Sequence, residues 1–208
     1  MKIKILKKQS DILVKTYLDY ENFVKNTTEE QKLDEKYIIK NTIKIFYEVD
    51  EDTLNQLPYT AILDMYKIIS NILVIPQQLV SFFIHNDKQY GINPNFNDMT
   101  LGELVDCDTN DVIKQICILY RPVKNKKGKK YTIEQYKADI SIYDDIKQNL
   151  TLDIYNGFVG FFLRIQQSFI NSTLNSLEAK GVSSPKMKQD LVKNGLGFLG
   201  SLNSVMEI

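Results

Sequence analysis

Side chains able to do chemistry are few in this sequence and lie far apart. It has one histidine, His85, and two cysteines, Cys107 and Cys117. One His and two Cys cannot complete a four-ligand zinc site without carboxylates. The two thiols fall in apolar surroundings and read as small core residues, not as a disulfide. His85 falls in a predicted hairpin turn and reads as a turn residue. The acidic pairs Glu51/Asp52, Asp106/Asp108 and Asp144/Asp145 have the right oxygens for a cation. On helices, however, such pairs read as solvated surface or as partners of the N-terminal dipole. No glycine-rich phosphate loop with Lys and Ser/Thr, no Gly-x-Ser-x-Gly elbow, no His-Glu-x-x-His and no Cys-x-x-Cys occurs. The expectation is no catalytic, metal or cofactor-binding residue, and no cofactor.

Two basic features stand out. Arg121 follows the apolar run 116–120 and is fixed by Pro122, so it is expected to pair with an acid such as Glu103 or Asp106 in a structural role. The segment 124–130 (KNKKGKK) holds Lys124, Lys126, Lys127, Lys129 and Lys130. These lysines could meet phosphate or an acidic surface, but they read first as a solvated turn between two elements. Lysine also specifies phosphate less sharply than arginine. Acids and bases balance at 26 each, which argues against specific nucleic-acid binding and removes repulsion between copies.

The elements that would position these groups are mostly helices. Apolar residues make up 43% and charged residues 25%, as in ordinary globular proteins. No apolar run reaches the length of a membrane span, and the first residues lack the apolar stretch of a signal peptide. Residues 2–6 alternate as a short strand would. Ser10 is placed to cap a helix from Asp11 to about Asn26. Thr28 with Gln31 forms a capping box before a helix through Tyr37, Ile43 and Tyr47. Asp50 starts a short acidic helix ending near Leu57-Pro58, and another helix runs from about Tyr59 to Ile72. Residues 79–92 read as a β-hairpin. Thr100 and Glu103 form the best local signal, a capping box flanked by Met99 and Leu104 at staple positions. A helix from Thr109 to Tyr120 follows. Thr132 with Gln135 suggests a third box, stapled by Tyr131 and Tyr136, with a helix or turn following to about Gln148.

The most apolar helix spans 151 to about 177, with Tyr155, Phe158, Val159, Phe162 and Ile165 in one stripe, widened by Phe161. Such a helix is a core element or a subunit contact. Gly157 and Gly160 suggest close helix packing. Beyond it, residues 178–208 turn rich in Gly and Ser but keep Leu196, Phe198, Leu199 and Leu202. The fold expected is mainly α: a helical core over 1–177, with a small β-hairpin near 79–92, and an extended or helical arm over 178–208. Phe158, Phe161, Phe162, Leu196, Phe198, Leu199 and Leu202 are the candidate subunit contacts.

One ordered set of segments resembles a known family. It comprises the acidic helix and Leu-Pro of 50–58, a hairpin and an Asn/Asp-rich loop. MTLGEL-x-D (99–106), ILYRPV (118–123), the lysine loop, Tyr-x-Ile-Glu-x-Tyr (131–136) and the Phe-rich final helix follow. Over about residues 10–175 this resembles small tailed-bacteriophage proteins encoded among virion assembly genes, tail-assembly chaperone-like or baseplate-hub-like. The composition is similar to that of crAss-like phages. The resemblance implies a non-enzymatic virion structural protein, made in the host cytoplasm and located in the tail or head–tail connector. It would form a ring or collar, as a homo-oligomer beside the portal and neighbouring ring or tail proteins, with no membrane partner. The alternative is a tail-assembly chaperone absent from the mature virion. A DNA-contacting role for Lys124–Lys130 ranks behind both.

Overall fold

A computed structural model describes residues 4–109, 111–138 and 140–179. The protein is mainly α with a small four-stranded antiparallel sheet. The arm read over 178–208 lies outside the described residues from 180 onward, as do Leu196, Phe198, Leu199 and Leu202. Where the sequence reads as one core over 1–177, the described residues divide into two compact units, 4–76 with 147–154 and 77–146 with 155–179.

The first unit is helical. It contains α1 (Val14–Asn26), α2 (Glu29–Leu33), α3 (Glu35–Tyr47), α4 (Glu51–Asn55) and α5 (Tyr59–Leu73). Three of these starts follow local capping chemistry. Thr28 and Gln31 cap α2 reciprocally, and Asp34 and Asp50 accept from the Tyr37 and Thr53 amides at α3 and α4. The Asp34 cap splits one expected helix into α2 and α3. The helix expected from Asp11 begins instead at Val14. The Val14 amide donates to the Leu150 carbonyl at 2.8 Å and the Leu152 amide to the Ile12 carbonyl at 2.9 Å. These bonds hold Ile12 and Leu13 extended, in a bridge between Leu13 and Thr151. Residues 4–6 form no strand either, although Leu6 is buried. Ile12, Val14, Ile43, Phe46, Ile69 and Leu152 fill the core. Gln9, itself buried, donates from Nε2 to the carbonyls of Ile72 and Ile75 at 2.9 Å each, satisfying the end of α5.

The second unit carries the sheet. It has β1 (Phe82–His85), β2 (Lys88–Ile92), α6 (Leu101–Cys107), α7 (Val112–Leu119), β3 (Tyr120–Lys127) and β4 (Lys130–Ile133). Most of α8 (Ile140–Asn149) and of α9 (Leu152–Ala179) also belongs to it. The strand order is β1-β2-β3-β4. Asn86 and Asp87 turn the expected first hairpin with positive φ, the geometry of a type I′ loop. Gly128, φ 61°, turns the second.

Two sequence expectations fail here. Tyr120 belongs to β3 and not to the preceding helix, and α7 starts at Val112, capped by Asp111. The box read at Thr132/Gln135 opens no helix, because Tyr131 and Thr132 pair with Lys126 and Asn125 in β4. Tertiary packing overrides the local signal. Tyr131 sits edge-on to Phe82 with ring centroids 4.6 Å apart, and its hydroxyl donates to the Ile92 carbonyl at 2.6 Å. A Cβ on Gly91 would meet the Tyr131 ring at 2.9 Å, so that glycine makes room for the tyrosine.

Phe158 and Phe162 are buried inside this unit, against Tyr120 and Phe96 respectively. This corrects their reading as subunit contacts: the apolar stripe of α9 is spent on the chain's own core. Phe161 is half-buried, with its ring 5.2 Å from that of Phe162. Of the two glycines, Gly157 supports the close-packing expectation. A Cβ there would lie 2.4 Å from the Gln78 carbonyl oxygen, whereas at Gly160 the nearest atom is 3.4 Å away.

Candidate functional site

The end of α6, one side of α7, the start of β3 and the segment after β4 line a cleft of about 490 Å³ in the second unit. Tyr90, Tyr120, Tyr136 and Tyr143 give it aromatic walls. Asp106, Asp111 and Glu134 face Lys114, Arg121 and Lys137 in its lining. Its formal charge is therefore balanced.

The positions of these groups follow from local structure. Thr100 caps α6, accepting from the Glu103 amide at 3.2 Å, while Glu103 Oε2 accepts from the Thr100 amide at 2.6 Å. The cap ties Glu103 back to the helix start, where its side chain is only 3% exposed. Its other oxygen, Oε1, lies 2.8 Å from Arg121 Nη2. Arg121 is held opposite Gly91 by the β2–β3 register. The structural roles expected for Thr100, Glu103 and Arg121 thus meet in one arrangement. Leu104, placed at a staple position, is half exposed at 51% and does not bury the way a staple does.

Two tyrosines close the cleft onto its acids. Tyr143 donates to Asp111 Oδ2 at 2.5 Å, and Tyr136 donates to Asp106 Oδ2. Asp111 also caps α7 through Oδ1, accepting from Ile113 and Lys114. Burial, and then the hydrogen bond to each carboxylate, push both phenols above their ordinary range. Both stay protonated donors at neutral pH. Burial pushes the Cys117 thiol up to about 12, aided by Asp111, and the Cys107 thiol up to about 12, aided by Glu103 and Asp106. Both cysteines are free, and neither is a thiolate at neutral pH.

His85 corrects its reading as a simple turn residue. It is 9% exposed, and its Nε2 lies 2.6 Å from Asp145 Oδ2. Asn86 Nδ2 donates to the same oxygen at 2.8 Å. The first hairpin is thereby latched to α8. Asp145 belongs to a pair read as solvated surface, and nothing local in the sequence links it to a histidine 60 residues away. The tyrosine–aspartate pairs were equally hidden, being 30 and 32 residues apart. The local hint was Asp111, placed beside the start of α7.

The lysine segment is not a loop but the β3–β4 hairpin. Lys124, Lys126, Lys127, Lys129 and Lys130 are all exposed. Lys126 Nζ sits 4.0 Å from the centre of the Phe82 ring, and Lys127 pairs directly with Lys130. They do not converge on the cleft.

A second surface lies on α6. Leu101, Leu104 and Val105, at helical spacing, are 77%, 51% and 64% exposed, while Glu103 and Cys107 are buried. The helix therefore presents an apolar stripe to solvent as well as a face to the core. Among the described residues no group of three or more metal-ligating side chains gathers, and no helix is long and apolar enough to cross a membrane. No protein-family model, no curated protein and no solved structure matches this chain.

Proposed function

We propose that this chain is a non-enzymatic structural subunit of a tailed-phage virion. It is repeated as a ring or collar at the head–tail connector or tail, against copies of itself and portal or neighbouring tail proteins. The family reading rests on the sequence resemblance. The observation that carries the assembly reading is the solvent-facing stripe of Leu101, Leu104 and Val105 on α6. Leucine and valine at helical spacing gain free energy by being covered, at roughly 25 cal/mol per Å² of apolar area removed from water. The cleft supports the same reading from the other side. Its acids are bound to tyrosine hydroxyls, its thiol is protonated and Arg121 is bound to Glu103. This network braces a scaffold and leaves no activated nucleophile among those groups.

Mass spectrometry of purified, DNA-filled particles tests the reading, with copy number measured against the major capsid protein. A stoichiometric presence is expected. Absence from particles, with the protein abundant in infected lysate, would replace the virion subunit with a tail-assembly chaperone, whose apolar face would hold a client before assembly.

A further inference from the structure

The stripe on α6 lies in an acidic stretch of the sequence. Over residues 95–111 the chain carries Asp98, Glu103, Asp106, Asp108 and Asp111, with no lysine or arginine. Glu103 is neutralised by Arg121, but Asp98 and Asp108 are exposed beside the stripe. Any segment covering Leu101, Leu104 and Val105 must be apolar on one side and should carry positive charge at its edges.

The chain contains one such segment. α9 ends at Ala179, and residues 180–208 follow. There Val192, Leu196, Leu199, Leu202 and Met206 recur every three or four residues. Lys180, Lys186, Lys188 and Lys193 outnumber Asp190 and Glu207. At ~3.3 Å per residue this stretch reaches roughly 95 Å when extended, enough to cross to another subunit. The whole chain is neutral, with 26 acids and 26 bases, yet its α6 region is acidic and its last segment basic. Two unlike, complementary patches on one chain make a heterologous contact, the kind that builds a ring.

We propose that the apolar face of α6 is the seat of residues 186–206, with Lys186, Lys188 and Lys193, from the next copy of this chain. Leu101, Leu104 and Val105 receive the apolar stripe of that segment. Its lysines run along Asp98 and Asp108. This inference rests on the ring-subunit reading and names the contact that closes the ring.

The test uses the full-length chain, with p-benzoylphenylalanine in place of Leu104. Nitrogen-14 and nitrogen-15 forms are mixed in equal amounts under conditions where the protein assembles. Photo-cross-links should fall in 186–208, with light–heavy pairs at their statistical share. Cross-links to other segments, same-isotope pairs only, or a wild-type chain that stays monomeric would overturn the proposal. As a second readout, Leu101→Glu with Val105→Lys removes the stripe while adding a helix-supporting i, i+4 pair. That variant should keep the wild-type melting temperature and need at least ten-fold more protein to assemble. Unchanged assembly would overturn the contact while leaving the ring reading standing. Absence of the protein from particles would overturn the ring reading while leaving a cross-linked contact standing.

Discussion

Glu103 serves two partners at once: Oε2 accepts from the Thr100 amide at 2.6 Å, and Oε1 meets Arg121 Nη2 at 2.8 Å. A helix cap and an ion pair between α6 and β3 thus share one buried carboxylate. The two roles separate by mutation. Glu103→Gln can still cap, but it leaves the Arg121 charge unpaired at a site where that side chain is only 12% exposed. Loss of one partner of a buried pair costs about 3–5 kcal/mol, against about 1 kcal/mol for removing the cap with Thr100→Ala. Urea unfolding should rank them in that order. The double variant Glu103→Gln/Arg121→Met should lose less than Glu103→Gln alone, because no charge is stranded. Equal losses for Glu103→Gln and Thr100→Ala would show the ion pair to be unimportant.

Two glycines one helical turn apart on α9 should respond oppositely to alanine. At Gly157 the added methyl meets the Gln78 backbone at 2.4 Å, which cannot give way as a side chain would. Overpacking of this kind costs about 1–3 kcal/mol. At Gly160 the methyl has room, with nothing closer than 3.4 Å, so alanine's better helix propensity should stabilise by up to about 1 kcal/mol. Thermal denaturation of the two variants side by side reads the contrast directly.

The cleft tyrosines set an alkaline limit on stability. Burial and the hydrogen bonds to Asp106 and Asp111 raise both phenols above their ordinary 10.0. The folded state therefore favours the protonated form more than the unfolded state does. Their contribution is complete below about pH 10 and is lost as pH rises from there toward the folded-state values. Stability measured from pH 7 to 11 should stay level with respect to these groups up to about pH 10 and fall above it. Tyr136→Phe with Tyr143→Phe should lower stability at pH 7 by about 1–3 kcal/mol for each orphaned carboxylate contact and flatten the alkaline decline. A decline that persists unchanged in the double variant would assign it to other groups.

The second hairpin carries a built-in repulsion. Lys127 and Lys130 stand directly opposite each other across β3 and β4, and both are exposed. Lys130→Glu turns a like-charge pair into an opposite one, a change worth about 0.2–1 kcal/mol in cross-strand pairs. The gain should shrink in high salt, since exposed charges are screened within a Debye length. A gain that is independent of salt would point to strand propensity in place of charge.

Features set by neighbours along the chain were legible in the sequence. The capping boxes at Thr28/Gln31 and Thr100/Glu103 and the Asp50 cap operate over three residues, and each forms as read. The Asn86-Asp87 turn is equally local. The arginine's pairing was legible in part: Arg121 follows an apolar run and is fixed by Pro122, which left Glu103 or Asp106 as its partner, and the packing of α6 on β3 selects Glu103. Tertiary structure decided the rest. Thr132 and Gln135 carry the same local signal as Thr100 and Glu103, yet β4 forms there. The exposed backbone of β3 needs a partner, and Tyr131 has a ring and a carbonyl waiting at Phe82 and Ile92. His85 and Asp145, or Tyr143 and Asp111, meet only once the sheet and helices have packed. The aromatic stripe of α9 makes the distinction plainest. Periodicity marks Phe158 and Phe162 as apolar-facing, but it is silent on what covers them, because hydrophobic burial has no direction. The packed unit covers them itself, and the apolar stripe on α6 is left in solvent.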